Sequence, residues 1–433
     1  MNRNSAFVSV VAAIGGLLFG YNTGIISGAL SFLAQDFSLS TLEQELVVST
    51  LLFGAIIGAF GGGLIANKIG RKKTLFLTVI FFFFGIVTMG DAVGFTTLLL
   101  GRFVTGIACG LASMVVPLYI AEMSPAKRRG ALVSINQLMI TFGILLAYIM
   151  QYLLAKHSQW REMFAFAMIP LSLQFLGLFF IPETPSWLLQ NRGQEAADKV
   201  FNKYGIPPEV QVVQKKGDSD WRHLFKPGIR PIFFVGVGIT IFQQMTGVNA
   251  VLYYAPAIFQ SSGVHTTESA FFATIFVGLV NFIFTGISLW LIDRLGRRFL
   301  LIFGLAGMIL SLLVLGFSFF EPKISSEIIT IIALLCYIAF FAISIGPIAW
   351  LIPSEIFPLS IRSTAIGAVT FINWACNYVV SLTFLSMIGT FGTGPTFWLY
   401  MTITLLGLWF VWKKVPETKG KSLEQIQHFW HKK

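Results

Sequence analysis

Twelve apolar stretches, each about 20 residues or longer, leave this chain one environment in which to fold. They run at about 6–30, 46–66, 74–93, 96–121, 131–154 and 163–181. After a polar gap they resume at about 231–259, 268–292, 299–319, 328–352, 361–388 and 394–415. About 20 mostly apolar residues cross the hydrocarbon of a bilayer, and a helix is the single-segment structure that satisfies its own backbone hydrogen bonds there. Only 11% of the 433 residues are charged and 55% are apolar, where a soluble domain carries about 25% charge. Too few polar side chains remain to coat a water-soluble globule of this size. The chain is expected to be an all-α membrane protein with 12 transmembrane helices. Soluble dinucleotide-binding enzymes, nucleic-acid modules and disulfide scaffolds are excluded.

The net charge of +11 has a placement that explains it. If the chain threads back and forth, both termini fall on one side. That side receives Arg3, Lys68, Arg71 to Lys73, Lys127 to Arg129, the eight Lys and Arg between 192 and 230, Arg294, Arg297, Arg298, Arg362, Lys413 and Lys414 at the end of the last span, and the four Lys in the tail. Lys156, Arg161 and Lys323 face the other way, and Arg102 lies inside a span. An excess of Lys and Arg marks the cytoplasmic face. The expected location is the plasma (inner) membrane, multi-pass, with both termini cytoplasmic. The basic excess is thus a topology signal, and no nucleic-acid partner is implied.

The remaining chemistry is sparse. Cys109, Cys336 and Cys376 fall inside apolar helices, where cysteine packs as a small hydrophobe. His157, His223, His265, His428 and His431 lie in loops, helix margins or the tail, with no His pair at the spacing of a helical metal site. Neither a G-x-S-x-G elbow nor a phosphate-cradling loop occurs. No metal, cofactor or enzymatic activity is expected. The opening MNRNSAF runs into a long span with no small-residue cleavage site and reads as the first helix, not a signal peptide.

The polar stretch 182–230 divides the spans into an N-terminal bundle, 1–181, and a C-terminal bundle, 231–415, with a tail at 416–433. Within it, Ser186-Trp-Leu-Leu and Glu195-Ala-Ala-Asp-Lys-Val-Phe read as short amphipathic helices at the cytoplasmic surface. They serve either to brace a gate or as a plain linker. Three motifs then recur in one order. Asn67-Lys-Ile-Gly-Arg-Lys-Lys returns as Asp293-Arg-Leu-Gly-Arg-Arg, 226 residues on. Glu122-Met-Ser-Pro-Ala-Lys-Arg-Arg129 returns as Glu355-Ile-Phe-Pro-Leu-Ser-Ile-Arg362, 233 residues on; Pro182-Glu-Thr-Pro returns as Pro416-Glu-Thr-Lys, 234 on. The chain is a duplicated six-helix unit in parallel repeat, an arrangement used by transporters.

Those motifs supply a candidate cytoplasmic gate: Asn67, Gly70, Arg71, Glu122, Arg129 and Glu183 in one half, and Asp293, Gly296, Arg297, Glu355, Arg362 and Glu417 in the other. Glycine allows the tight reversal, and clustered Arg and Lys can pair with carboxylates at neighbouring helix ends. Glu122 with Arg129, and Glu355 with Arg362, are the expected pairs. The alternative is simple anchoring of the basic residues to anionic lipid.

Polar residues inside spans are functional candidates by default. Arg102 needs either a cavity or a route to the outer interface, and the first span offers only the neutral Asn22. The second half is richer. Gln243, Gln244 and Asn249 surround Gly247, which permits local unwinding where backbone lines a cavity. Gln137, Asn281, Asn373 and Asn377 add amides, and Trp350 follows a Gly346-Pro347 hinge. Amides both donate and accept, which suits vicinal hydroxyls, and an indole adds a flat apolar face with one donor. This describes a pocket for a neutral polyhydroxylated solute, although any single amide can equally serve as helix–helix glue.

The residues GGLLFGYNTGIISGAL, GRFVTGIACG, PLYIAEMSPAKRRG, PETPSWL, QQMTGVNAVLYYAP, IDRLGRR, IPSEIFPLSIR and PETKG resemble the signatures of the sugar porter family of the major facilitator superfamily, along essentially the whole chain. The resemblance implies two pseudo-symmetric six-helix bundles with short cytoplasmic helices, and transport of a monosaccharide by alternating access as a monomer. It implies sugar contacts from Gln137, Gln243, Gln244, Asn249, Asn281, Trp350 and Asn377, with Phe19, Asn373 and Trp374 close by. Proton-coupled members carry Asp where this sequence has Asn22, paired with the arginine matching Arg102. An amide cannot bind and release a proton, so the expectation is a uniporter for a hexose such as glucose, or for xylose. Proton–sugar symport through another group, or by an Asp→Asn variant of a symporter, is the alternative, and a non-transporting sugar receptor would usually carry a long cytoplasmic tail. Asn67 replaces the usual Asp of the first loop motif. Ile144 stands where some xylose transporters have Gln, and Ala342 where animal facilitators have Glu.

Overall fold

The computed structural model describes residues 3–124, 129–155, 159–204, 221–264, 266–320, 327–358 and 361–421. Lys127, Arg128, the linker stretch 205–220, four of the five histidines and the tail from 422 lie outside them, as does the side chain of Arg129. The described chain is helical and holds 12 stretches long and apolar enough to cross a membrane. Packing groups it into two units, Met1–Lys215 and Lys216–Lys433.

The first unit contains α1 (Arg3–Asp36), α2 (Thr41–Ile69), α3 (Arg71–Gly90), α4 (Phe95–Glu122), α5 (Arg129–Leu154), α6 (Trp160–Ala165), α7 (Met168–Phe180), α8 (Pro185–Arg192) and α9 (Gln194–Tyr204). The sixth span is α6 and α7 together. The two helices read in the polar stretch are α8 and α9, and α9 buries Ala197, Phe201 and Tyr204. The second unit opens with a 3-10 turn at Trp221–Phe225. It continues with α10 (Arg230–Met245), α11 (Val248–Ser261), α12 (Thr267–Leu295), α13 (Arg297–Ser318), α14 (Glu327–Ile343), α15 (Ile345–Ile356), α16 (Arg362–Phe391) and α17 (Thr393–Lys414). The seventh span is α10 with α11, and the tenth is α14 with α15.

Each unit packs the same pairs of spans. The first packs with the fifth (α1 on α5), the second with the fourth (α2 on α4), and the third with the fourth and sixth (α3 on α4 and α7). Their counterparts are α10 on α16, α12 on α14, and α13 on α14 and α17. The duplication read from three loop motifs is therefore a duplication of packing.

Small residues make the close contacts. Gly16, Gly20, Gly24 and Gly28 recur every four residues on α1. A Cβ at Gly20 would stand 1.9 Å from the Ile140 carbonyl oxygen of α5. On the second and fourth spans, a Cβ at Gly58 would meet the carbonyl of Ile107, and one at Gly106 that of Leu51. Without a hydrophobic drive between helices in lipid, such backbone approach is what holds them.

On α2 the buried stripe Glu45, Val48, Leu52, Ala55, Ala59, Gly62 and Ala66 repeats by threes and fours. Phe53, Ile57, Phe60 and Leu64 lie exposed on another side of the same helix, an apolar surface suited to acyl chains. The helix also starts earlier than its apolar run suggests. Ser40 and Glu43 close a capping box, with Ser40 N–H donating to Glu43 Oε2 at 2.8 Å, so the polar first turn is helical.

Candidate functional site

Two spans of the second unit are broken, and the breaks carry the polar groups. Gly247 sits between α10 and α11 with φ +88°, a left-handed conformation in which a Cβ would also run into the Tyr400 ring. The tenth span breaks at Ser344, between α14 and α15, two residues before the Gly346-Pro347 position expected to bend. Proline belongs in the first turn of the helix that follows, where its missing N–H costs nothing. Tyr337 OH donates to the Thr246 carbonyl at 2.8 Å, and Gln243 Nε2 to the Gly346 carbonyl at 2.7 Å. Side chains of each broken span thus satisfy backbone at the other's break.

From Gln243 the bonds run on as a relay of amides. Asn373 Nδ2 donates to Gln243 Oε1 at 2.7 Å, Gln244 Nε2 to Asn373 Oδ1 at 3.1 Å, and Asn249 Nδ2 to Gln244 Oε1. Asn377 Nδ2 reaches Tyr253 OH at 3.2 Å, and Tyr254 OH reaches the Ser381 carbonyl at 2.8 Å. Gln243, Gln244, Asn373 and Asn377 are each buried, and Asn249 is half-buried. Unwinding at Gly247 is what brings Gln244 and Asn249, five residues apart, into contact. Each amide donor uses one of its two N–H groups. The relay is polar, uncharged and fixed in orientation.

The other expected contacts are placed on neighbouring elements. Asn281 is buried on α12, in the stripe with Thr285 and Ser288, and Ser288 Oγ donates to the Ile343 carbonyl at the break in the tenth span. Trp374 is buried on α16, whereas Trp350 is 43% exposed on a helix most of whose other residues are buried. Phe19 and Gln137, both half-buried, belong to the first unit, where α1 meets α5.

Asn22 and Arg102 also lie in the first unit, both almost fully buried. Asn22 Nδ2 folds back to the Leu18 carbonyl at 2.9 Å. The Arg102 guanidinium donates to three backbone carbonyls: Val47 at 3.0 Å, Val48 at 3.4 Å and Asn22 at 3.3 Å. The arginine therefore sits inside the helix packing, and of the two sequence-based placements the interface route does not apply.

The repeated loop motifs assemble twice with one geometry. Arg71 donates through Nε and Nη2 to Glu122 Oε1 at 3.2 and 3.0 Å, and through Nη1 to the Ala66 carbonyl. Arg297 does the same to Glu355 Oε1, at 3.1 and 2.8 Å, and to the Ile292 carbonyl. Glu183 accepts the N–H groups of Arg71 and Lys72, and Glu417 those of Arg297 and Arg298, so each carboxylate caps the first turn of the helix after the glycine. Gly70 and Gly296 take φ of +101° and +92°, and a Cβ at either would collide with that carboxylate.

The expected pairing of Glu355 with Arg362 is replaced. Glu355 binds the arginine of the preceding loop motif, and Arg362 Nε turns to the Phe357 carbonyl at 3.1 Å. Arg297 approaches from α13 with two N–H groups on the one oxygen Oε1, a geometry that an arginine seven residues along the same segment does not reach. Asp293 pairs with Arg297 across the Gly296 turn at 3.2 Å, while at the matching place the Asn67 carbonyl accepts from Trp187 Nε1 of α8.

Sequence reasoning missed Glu45, a carboxylate that is 0% exposed on α2. Its place in the stripe 45–48–52–55 was the available signal. It also missed Thr418, whose hydroxyl donates to Glu355 Oε2 at 2.6 Å and joins the third motif to the second.

Comparison with known proteins gives a consistent result. The sequence profile described as "Sugar (and other) transporter" matches residues 8–430. The D-xylose transporter of Levilactobacillus brevis is 40% identical over 98% of this chain and 95% of its own length. The glucose transporter GlcP of Staphylococcus epidermidis is 36% identical over 99% and 98%. The solved structure of the major facilitator superfamily proton:xylose symporter XylE bound to 6-bromo-6-deoxy-D-glucose superposes with a TM-score of 0.83 at 35% identity, covering 99% of this chain and all of that one.

Proposed function

Since the chain belongs to the sugar transporter family of the major facilitator superfamily, we propose that it carries a monosaccharide across the bilayer by alternating access, as a uniporter. The observation that carries this reading is the amide relay from Gln243 through Asn373 and Gln244 to Asn249, built where two spans break. Neutral amides held by one another present donors and acceptors together, which is what a ring of hydroxyls requires. They bear no charge, so a carboxylate or phosphate would gain little there. A hexose such as glucose, or xylose, is the substrate class, in line with the names of the relatives.

Uniport rests on Asn22. Its amide does not change charge near neutral pH, and its Nδ2 donates to the Leu18 carbonyl within its own helix. Proton symport is the competing reading, favoured by the name of the structural relative; it requires a titrating group other than Asn22. The basic residues at the loop ends support a plasma-membrane protein with its motif loops and both termini cytoplasmic.

Counterflow of labelled glucose, galactose and xylose into proteoliposomes preloaded with unlabelled sugar tests the assignment. At least one sugar should exchange, with the others competing in graded order. If none exchanges and none competes, the amide relay is not a sugar site.

A further inference from the structure

Glu45 is 0% exposed inside a membrane helix, where a carboxylate is costly and calls for a compensating charge. It lies on the α2 stripe three residues before Val48, about 4.5 Å along the axis at a rise of roughly 1.5 Å per residue. The Val48 carbonyl and that of Val47 are two of the three that receive the Arg102 guanidinium. Glu45 and Arg102 therefore occupy neighbouring turns of α2 and α4, two helices packed closely together.

The other ionisable groups on the elements packed against this end of α2 are committed or uncharged. On α1, Tyr21 OH donates to the Met163 carbonyl and Asp36 accepts from Trp160 Nε1. On α4, Cys109 is buried below Arg102, and α3 ends at its cap, Asp91. On α2 itself Glu43 closes the capping box, while Lys68 sits with Arg71, Lys72 and Lys73 at the far ends of α2 and α3. Among the described residues of α1 to α4, Arg102 is the cation at this depth.

We infer that Glu45 is the fixed counter-charge of Arg102, supplied from α2 in place of a carboxylate on α1. This rests on the uniport reading and deepens it. Asn22 is neutral, so the charge opposite the buried guanidinium comes from α2 of the same unit and requires no titrating group at position 22. Sugar movement then needs no proton. Glu45 is a positioning residue: it acts on transport through Arg102.

The test is a rescue. Glu45→Gln strands the buried guanidinium, so exchange should fall by roughly tenfold or more and the melting temperature should drop. Adding Asn22→Asp to that variant returns a carboxylate to the guanidinium. Exchange should recover to within a few-fold of the parent, and it should now depend on pH where the parent does not. Glu45→Asp should retain most activity. Should Glu45→Gln not survive purification, recovery of a monodisperse, higher-melting protein on adding Asn22→Asp reads out the same pairing. A Glu45→Gln protein that exchanges and melts like the parent overturns the inference, as does an impaired one that Asn22→Asp leaves unchanged in both readouts. If the parent moves no sugar, the transport reading fails separately, and the melting temperatures still decide the pairing.

Discussion

At the scale of single residues, the amides of the second unit and the arginine of the first behave differently as sequence signals. Gln243, Gln244, Asn249 and Asn373 stand out because polar side chains in apolar spans need partners, and the structure supplies them from one another. Gln243→Ala should weaken sugar binding by about 1–3 kcal/mol, the cost of losing a buried hydrogen-bonding group. Trp350→Ala should do so by about 0.5–1.5 kcal/mol, the scale of an aromatic contact. Isothermal titration with the transported sugar reads both, and unchanged affinity in the two together would remove the relay from the binding site. Asn22→Asp alone places a second carboxylate beside Arg102, so its exchange should acquire a pH dependence the parent lacks; a flat profile would detach position 22 from the transport cycle. Residue identity alone did not reveal Glu45, because a single acidic residue near the start of a span reads as part of a polar helix end. Its burial is a property of the stripe it shares with Val48 and Leu52.

At the scale of elements, the repeated loop motifs turn out to be helix caps as well as ion pairs. Glu417 shows the balance. Burial opposes its ionisation, but N–H groups of Lys419, Arg297, Arg298 and Thr418 outweigh that and hold its pKa below the usual glutamate value. A depressed folded pKa contributes stability that is complete above the unfolded value, about 4.3, and is lost as pH falls through the folded one. Thermal stability of the solubilised protein should therefore carry an acid-side decline below the ordinary glutamate range. Glu417→Gln should diminish that decline while lowering stability at neutral pH by about 1 kcal/mol, the worth of a charge at a helix N-terminus. Gly296→Ala should cost more, since φ +92° with ψ 163° is a region essentially reserved for glycine and the new methyl meets the Glu417 carboxylate. Equal melting temperatures for Gly296→Ala and the parent would contradict the cap geometry. The motifs were visible as repeats, but their partners were not. An arginine chooses among several glutamates by three-dimensional approach, and spacing within one motif pointed to Arg362 where Arg297 makes the bond.

At the scale of the whole molecule, hydropathy and charge placement are enough to predict an all-helical membrane protein, because spans of this length satisfy their own backbone in lipid as helices, and the three repeated loop motifs add the duplication. Breaks within spans are harder to read. Gly247 signals one by composition, whereas the tenth span opens at Ser344, a residue with no special backbone freedom, where Tyr337 and Gln243 stitch the two broken spans together. Monosaccharide movement without proton coupling is a property of the full cycle, and so of the whole molecule. It is tested most directly by flux of the exchanged sugar into proteoliposomes with and without an imposed inward proton gradient. Internal sugar should rise to the external concentration and stop there in both cases. Accumulation above the external concentration, driven by the gradient, would contradict it.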